Sequence, residues 1–307
     1  MTALGLDTSN YTTSCALYDS ETRGVVQQKK LLPVKPGELG LRQSDAVFHH
    51  VQQLPGLLGD LLTDRPRIDV IGVSVRPRPV EGSYMPCCEA GRSSAAQLGA
   101  VLGCPVYAFS HQEGHIAAAL HSVGRFDSMP RPFIAFHLSG GTTEAVRVAD
   151  SDSGFDIEYL CGSLDLKAGQ AVDRVASMLG MSFPGGAQLD KLALTCDEKI
   201  KCRPTMKGRD CCLSGVENQC RELVAAGREP AYVARYCLNM VSETVAAMCA
   251  ALLEEYGDMP VLIAGGVAAS AVMRGVLSER FDVVFATPEL SGDNAVGIAL
   301  LSSRAEG

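Results

Sequence analysis

The sequence predicts an α/β protein built as two related lobes, and three observations carry that prediction. Short apolar strand-like runs alternate with helix-like stretches along the chain. Two segments about 130 residues apart, close to one domain length, read as versions of one unit: an apolar strand, a turn rich in small hydroxyl residues, and a second strand. The chain has 307 residues, enough for two domains of about 150.

The first hairpin runs through Ala3-Leu4-Gly5-Leu6, the tip Asp7-Thr8-Ser9-Asn10-Tyr11-Thr12-Thr13, and Ser14-Cys15-Ala16-Leu17-Tyr18. A helix is expected from Asp45 to about Leu54, a buried strand at Val70–Val75, a small-residue helix at Gly91–Leu102, and a strand at Pro105–Phe109. Met129-Pro130-Arg131-Pro132 is the expected lobe boundary, giving lobes of residues 1–130 and 131–307. The second hairpin is Phe133-Ile134-Ala135-Phe136-His137-Leu138, the tip Ser139-Gly140-Gly141-Thr142-Thr143, and Glu144-Ala145-Val146-Arg147-Val148. Helices follow at Ala168–Leu179 and Ala231–Tyr256. Val261–Ala264 is a buried strand ending in Gly265-Gly266, and a helix lies near Ser270–Leu277. An insert with helical, cysteine and basic character spans about 165–220.

Composition narrows the function classes. Hydrophobic residues make up 47% and charged residues 20%, which excludes a disordered chain. No apolar run reaches the roughly 18 uncharged residues of a membrane helix, and Met1–Ser9 has no basic and apolar leader pattern, so a soluble cytoplasmic protein without a membrane partner is expected. Twelve cysteines with no CxxC pair fit a reducing compartment. A net charge of −8 argues against blanket adhesion to nucleic acid, so an RNA partner needs a local basic patch or another subunit.

The hairpin tips are the first candidate site. Glycines let a backbone approach a phosphate, and hydroxyls and N–H groups at a turn supply donors, so Ser139-Gly140-Gly141-Thr142-Thr143 suits phosphate oxygens; a plain hairpin turn fits it equally. Asp7 could then help hold a phosphate-bound metal, with Thr8 and Ser9 beside it. No GxxxxGK[ST] run exists, which sets P-loop chemistry aside. Gly265-Gly266 after an apolar strand offers bare backbone for a base and ribose, or simply a turn that needs positive φ.

His111 and His115 lie four apart on one helical face, within reach of one ion. Glu113 between them points elsewhere, so this is not HExxH and a peptidase loses its general base. An incidental pair is the alternative. A tight site needs a carboxylate, and Asp293 in Ser291-Gly292-Asp293-Asn294-Ala295 is the candidate, with an N-cap role as its alternative. Asp173, one turn beyond Gly169, could accept ribose hydroxyls or be a solvated helix charge; Phe183-Pro184-Gly185-Gly186 then breaks the chain. Cys196, Cys202, Cys211, Cys212 and Cys220 are interleaved with Lys199, Lys201, Arg203, Lys207 and Arg209. The readings are an exposed loop with reduced thiols, a zinc or iron–sulfur site of irregular spacing, and a basic patch for an RNA backbone.

With GLDTSNYTTSCALYD, HQEGH, LSGGTTE, AGQAVDRVASMLGMSFPGG, LSGV (Leu213–Val216), AGGVAAS and GDNAVGIA in this order from Leu4 to about Leu301, the chain resembles the tRNA threonylcarbamoyladenosine transferase subunit family, formerly labelled a glycoprotease. The resemblance implies two related lobes of the actin-like ATPase (RNase H-like) type with a cleft between them. It implies ATP or an acyl adenylate, and a divalent metal, iron or zinc, on His111, His115 and Asp293. Nucleotide contacts would come from Ser139-Gly140-Gly141-Thr142, Asp173 and Gly186. The family reaction passes a threonylcarbamoyl group from an acyl adenylate to the exocyclic amine of a tRNA adenosine. A smaller paralogous subunit and an ATPase partner are implied as well.

Four departures from the family pattern point to a divergent paralogue. Thr142 stands where the family usually has His after SGG, and Gln170 (with Val172 nearby) where it has Glu. Ser270 replaces its Asn, and Arg76-Pro77-Arg78-Pro79 replaces a glycine-proline-glycine loop. A different donor or acceptor is therefore an open expectation. The alternatives are a nucleotide-binding regulator and an ATP-dependent carbamoyl or phosphoryl transferase acting on a small molecule.

Overall fold

A computed structural model describes residues 1–33 and 41–307. The chain falls into two compact units. The first holds Met1–Ser128 together with Ala149–Ile157 and Glu289–Gly307; the second holds Met129–Val148 and Glu158–Pro288. The expected single division between residues 130 and 131 is therefore corrected at the C-terminus. The last helix belongs with the first sheet because it packs on that sheet's strands.

The first unit is built from β1 (Thr2–Asp7), β2 (Thr12–Asp19), β3 (Val25–Leu31), α1 (Gln43–Leu61), β4 (Val70–Arg76), α2 (Cys88–Leu102), β5 (Val106–Ser110) and α3 (His111–Ser122). Its sheet order is β3-β2-β1-β4-β5, with the hairpin and β3 antiparallel and β4 and β5 parallel to β1. Helix α1 buries Ala46, His50, Leu54 and Leu61, a stripe at helical spacing, against the sheet.

The second unit repeats that plan. It comprises β6 (Phe133–Leu138), β7 (Thr143–Asp150) and β8 (Phe155–Gly162), apart from their Ala149–Ile157 ends and connection, then α4 (Ala168–Met178), α5 (Gly186–Ala193), the short hairpin β9 (Thr205–Lys207) and β10 (Asp210–Cys212), α6 (Ser214–Ala225), α7 (Pro230–Tyr256), β11 (Val261–Ala264), α8 (Ala271–Ser278) and β12 (Val283–Phe285). Read from β8, the order is β8-β7-β6-β11-β12, the same succession as β3-β2-β1-β4-β5. In both sheets a hairpin comes first and two parallel strands follow on its far side. Helix α7 is long and apolar enough to cross a membrane, yet it is the core helix of this unit, burying Val233, Cys237, Val241, Val245, Met248 and Leu252.

The insert is more ordered than an exposed loop. Cys211 and Cys220 are fully buried in the core, Cys202 packs against it, and none of the twelve cysteines forms a disulfide. Asp165 ties the insert down: its carboxylate accepts from the backbone N–H groups of Leu213 (2.7 Å) and Ser214 (3.2 Å) and from the Ser214 hydroxyl. Although burial works against it, these bonds hold the Asp165 carboxyl below its ordinary pKa.

The chain closes with α9 (Val296–Glu306), which runs over β1 and β4 and along α3. Glycine makes this approach achievable. A Cβ on Gly5 would stand 2.4 Å from the Ala295 carbonyl oxygen, and one on Gly297 only 1.8 Å from that of Gly114. Backbone-on-backbone packing of this kind fixes the loop before α9 beside the first turn of α3.

Candidate metal centre and nucleotide cavity

Ser110 and Glu113 form a reciprocal capping box that starts α3 at His111. Ser110 Oγ accepts from the Glu113 N–H at 3.2 Å, and Glu113 Oε2 accepts from the Ser110 N–H at 2.7 Å. Glu113 Oε1 also accepts from the Phe155 N–H at 3.3 Å, so this buried carboxylate is occupied with structure and faces away from the histidines' shared side, as the spacing predicts.

His111 and His115 then emerge one turn apart, rings 82° from coplanar, with their Nε2 atoms 2.9 Å apart. Asp293 Oδ1 lies 3.4 Å from His111 Nε2 and 3.3 Å from His115 Nε2. The carboxylate is available because its neighbour does the local turn work: Asn294 Oδ1 accepts from the Val296 N–H, and its amide donates to the Leu290 and Gly292 carbonyls. An N-cap role for Asp293 is thereby corrected. Three ligands about 2.1 Å from one ion, at angles between octahedral and tetrahedral, stand about 3.0–3.4 Å from one another. The observed triangle has those dimensions, and its donors, two imidazoles and a carboxylate, suit zinc or iron. Among the described residues it is the one group of three or more such ligand atoms gathered this closely. The insert cysteines form no comparable cluster, so a zinc or iron–sulfur centre there has no geometric basis.

Asp7 stands behind this triangle. Its Oδ2 accepts from His111 Nδ1–H at 2.7 Å, so the proton that a cation would displace is the one on His111 Nε2. Asp7 Oδ1 is held in turn by the N–H and the hydroxyl of Ser9. Burial disfavours a charged His111 ring, but the carboxylates of Asp7 and Asp293 outweigh it and raise its pKa to about 10. Burial likewise opposes ionisation of Asp293, yet the two imidazoles hold its carboxyl well below the carboxylate range.

Residues of the first hairpin tip are hydrogen-bonded into this support. Thr8 is fully buried, donating to the Cys87 carbonyl and accepting from the Gly91 N–H, and Ser9 is engaged with Asp7. Thr8 and Ser9, expected at a nucleotide, make these bonds within the first unit, and Asp7 braces a candidate ligand instead of joining the triangle.

The second unit contains a cavity of about 500 Å³, within the ordinary size of a small-molecule site. Ser139, Gly140, Asp173, Gly186, Gly266 and Ser270 line it, all named from the sequence. Its shape follows from contacts that bring backbone segments together. The Gly169 N–H donates to the Ser139 carbonyl at 3.0 Å, and a Cβ on Gly169 would stand 2.5 Å from the Gly140 nitrogen. Asp173 Oδ1 accepts from the Gly185 N–H at 2.9 Å, closing the Phe183–Gly186 turn over α4.

Five sequence-named residues of the second unit lie outside the lining. Thr143 is buried, its hydroxyl accepting from the Ala168 N–H at the start of α4. Gly141 and Thr142 donate their N–H groups to Ser139 Oγ and thereby fold the tip. Gly185 packs on Ala176, where a Cβ would fall 2.3 Å from the Ala176 Cβ. Gly265 has φ +99° and lies against the Leu138 carbonyl, which is the turn alternative raised for it. The sequence reading missed the apolar wall of Phe183, Pro184 and Leu238, and also Asp190. Asp190 accepts from the Ser270 hydroxyl and from the Ala271 N–H at 3.0 Å, so it and Ser270 are joined at the start of α8. A carboxylate four residues past Gly186 was the available signal for Asp190.

The sequence pattern of the TsaD family, tRNA N6-adenosine threonylcarbamoyltransferase, matches residues 34–300. A tRNA N6-adenosine threonylcarbamoyltransferase of Thermus thermophilus is 30% identical over 271 residues, covering 87% of this chain and 73% of that protein. Solved structures share the fold at low identity. The activator of 2-hydroxyisocaproyl-CoA dehydratase from Clostridium difficile, with bound ADPNP, aligns with a TM-score of 0.54 at 14% identity, covering 100% of this chain and 96% of that one. A ROK-family glucokinase from Streptomyces griseus aligns at 0.55 and 12%, covering 99% and 100%. These likenesses agree with an actin-like ATPase fold of two related lobes.

Proposed function

The chain belongs to the tRNA N6-adenosine threonylcarbamoyltransferase family, a family of tRNA-modifying acyltransferases, and from that premise we propose that it carries out the transfer with a divalent cation on His111, His115 and Asp293 and an adenylate in the cavity of its second unit. The observation that carries this reading is the triangle of two imidazoles and a carboxylate at the spacing of ligands on one ion.

A cation held by His111, His115 and Asp293 would supply Lewis acidity for polarising an acyl carbonyl. The chain's own residues do the rest. Asp7 keeps the His111 proton on Nδ1, and Glu113 anchors the helix turn that presents both rings. In the second unit Ser139 and Gly140 offer a backbone tip for phosphate oxygens. Gly186 and Gly266 leave room for a flat base and ribose, in a lining that also holds the polar Asp173 and Ser270 and the apolar Phe183 and Leu238. In the transfer the adenosine amine forms the new C–N bond as the acyl C–O bond breaks, AMP leaves with that bond's electrons, and the amine loses a proton to solvent. Holding donor and amine at attack distance is the protein's main contribution.

We assign the tRNA backbone to the exposed Lys199, Lys201, Arg203 and Lys207. Arg209 is excluded from this patch because it pairs with Glu255 at 3.0 Å. A cytoplasmic location, a smaller paralogous subunit and an ATPase partner complete the proposal. The test incubates tRNA with the full chain, threonylcarbamoyl adenylate and zinc or iron, followed by nucleoside mass spectrometry. Modification that stops with a chelator, returns with cation and is lost in His115→Ala supports the reading. Cation-independent modification overturns the metal role, and nucleotide binding with no modification favours a regulatory paralogue.

A further inference from the structure

One group near the metal triangle has no function in the account so far. Arg76 closes β4, where the β4–β5 register shifts between Ser74 and Arg76 and brings Arg76 opposite Ser110. Such a bulge bends a strand and re-aims its side chains. Neighbouring strands are about 5 Å apart, so the Arg76 backbone lies that far from the residue that immediately precedes His111. The Gln112 N–H donates to the Pro77 carbonyl at 3.1 Å, pinning the chain after Arg76 to the first turn of α3, the positive end of a 12-residue helix.

Several arginines in this protein answer a carboxylate: Arg174 pairs with Glu217, Arg221 with the same residue, and Arg280 with Glu243. The side chain of half-buried Arg76 has no ion pair or hydrogen bond among the described residues, and its Nε is buried without an acceptor. Ser74, two residues earlier and fully buried, likewise has a hydroxyl without a partner. A buried guanidinium Nε–H without an acceptor is costly for a folded protein to keep, and a bound anion would supply one.

We propose that Arg76 is a binding residue for an anionic group, a carboxylate or a phosphate, carried by the acyl donor. This inference rests on the transferase reading for the identity of the donor, while the anion site itself rests on Arg76. A guanidinium fork matches either group with two parallel N–H···O bonds, which an ammonium cannot reproduce. The two anions of the donor can be separated: its threonyl part bears the carboxylate and its adenylate part the phosphate.

The full chain is titrated calorimetrically with N-carbamoyl-L-threonine, which carries only the carboxylate, and with AMP, which carries only the phosphate. Arg76→Gln weakens one of these probes about tenfold or more, and the probe affected identifies the anion. Arg76→Lys, which keeps the charge without the fork, recovers part of the loss and guards against a folding artefact. Arg92→Gln, at an exposed arginine, changes neither. The proposal is overturned if wild type binds neither probe, or if Arg76→Gln binds both as wild type does. Modification of tRNA is scored separately. Arg76-dependent anion binding in a chain that never modifies tRNA would sink the transferase reading and leave this site standing.

Discussion

At His111 two opposing effects meet on one ring. Burial favours the neutral imidazole, whereas Asp7 at 2.7 Å and Asp293 at 3.4 Å favour the imidazolium, and the carboxylates win, with the pKa raised to about 10. Because the folded value lies above the ordinary 6.5, the stabilisation in cation-free protein is complete below about pH 6.5 and disappears as pH rises through about 10. A cation must displace that proton, so its affinity climbs over the same interval. Thermal unfolding of chelated protein and cation titrations between pH 6 and 10 should move in opposite directions. Asp7→Asn removes the negative charge behind Nδ1 and is expected to lower cation affinity about 10- to 100-fold. Unchanged affinity in that variant would leave Asp7 with a purely structural role.

The elements explain why the triangle assembles at all. Helix α9 delivers Asp293 only because Gly297 and Gly114 let two backbones touch: a Cβ at Gly297 would lie 1.8 Å from the Gly114 oxygen. Gly297→Ala should cost about 3 kcal/mol in chemical denaturation and weaken cation binding, although it removes no ligand. At the second site, Gly169→Ala pushes on the Gly140 nitrogen and should reduce AMP affinity without altering the triangle. The histidine pair was legible in the sequence because a spacing of four is a property of one helix. The roles of the hydroxyls were not legible. Thr8, Ser9 and Thr143 stand in turns of the composition that cradles phosphates, but their hydroxyls satisfy Cys87, Asp7 and the first turn of α4. A sequence records that a donor or acceptor exists and is silent about which of several nearby groups it meets. Asp190 escaped notice for the same reason, since its partners Ser270 and Ala271 lie some eighty residues away.

Over the whole molecule, the two sheets share one strand succession, which the paired hairpins had foreshadowed. The return of Glu289–Gly307 to the first unit had no comparable signal, because periodicity identifies a helix but not the sheet that receives it. The insert also departs from its reading: cysteines interleaved with lysines suggested a solvated loop, yet Cys211 and Cys220 face the core while Lys199, Lys201, Arg203 and Lys207 face solvent. In a chain of net charge −8, that local basic stretch is the surface proposed for an RNA backbone. Replacing all four residues with serine should weaken tRNA binding more at low salt than at high salt and flatten the salt dependence. An unaltered salt slope would move the RNA surface elsewhere.

The most direct measurement is nucleoside mass spectrometry of tRNA from cells whose copy of this gene encodes Asp293→Asn, compared with wild type and a deletion. Asparagine keeps the volume of the side chain and removes the charge that completes the triangle. The account predicts that threonylcarbamoyladenosine falls to the level of the deletion although the variant protein remains folded and abundant. Wild-type levels of the modified nucleoside in that strain, with the deletion strain depleted, would contradict it.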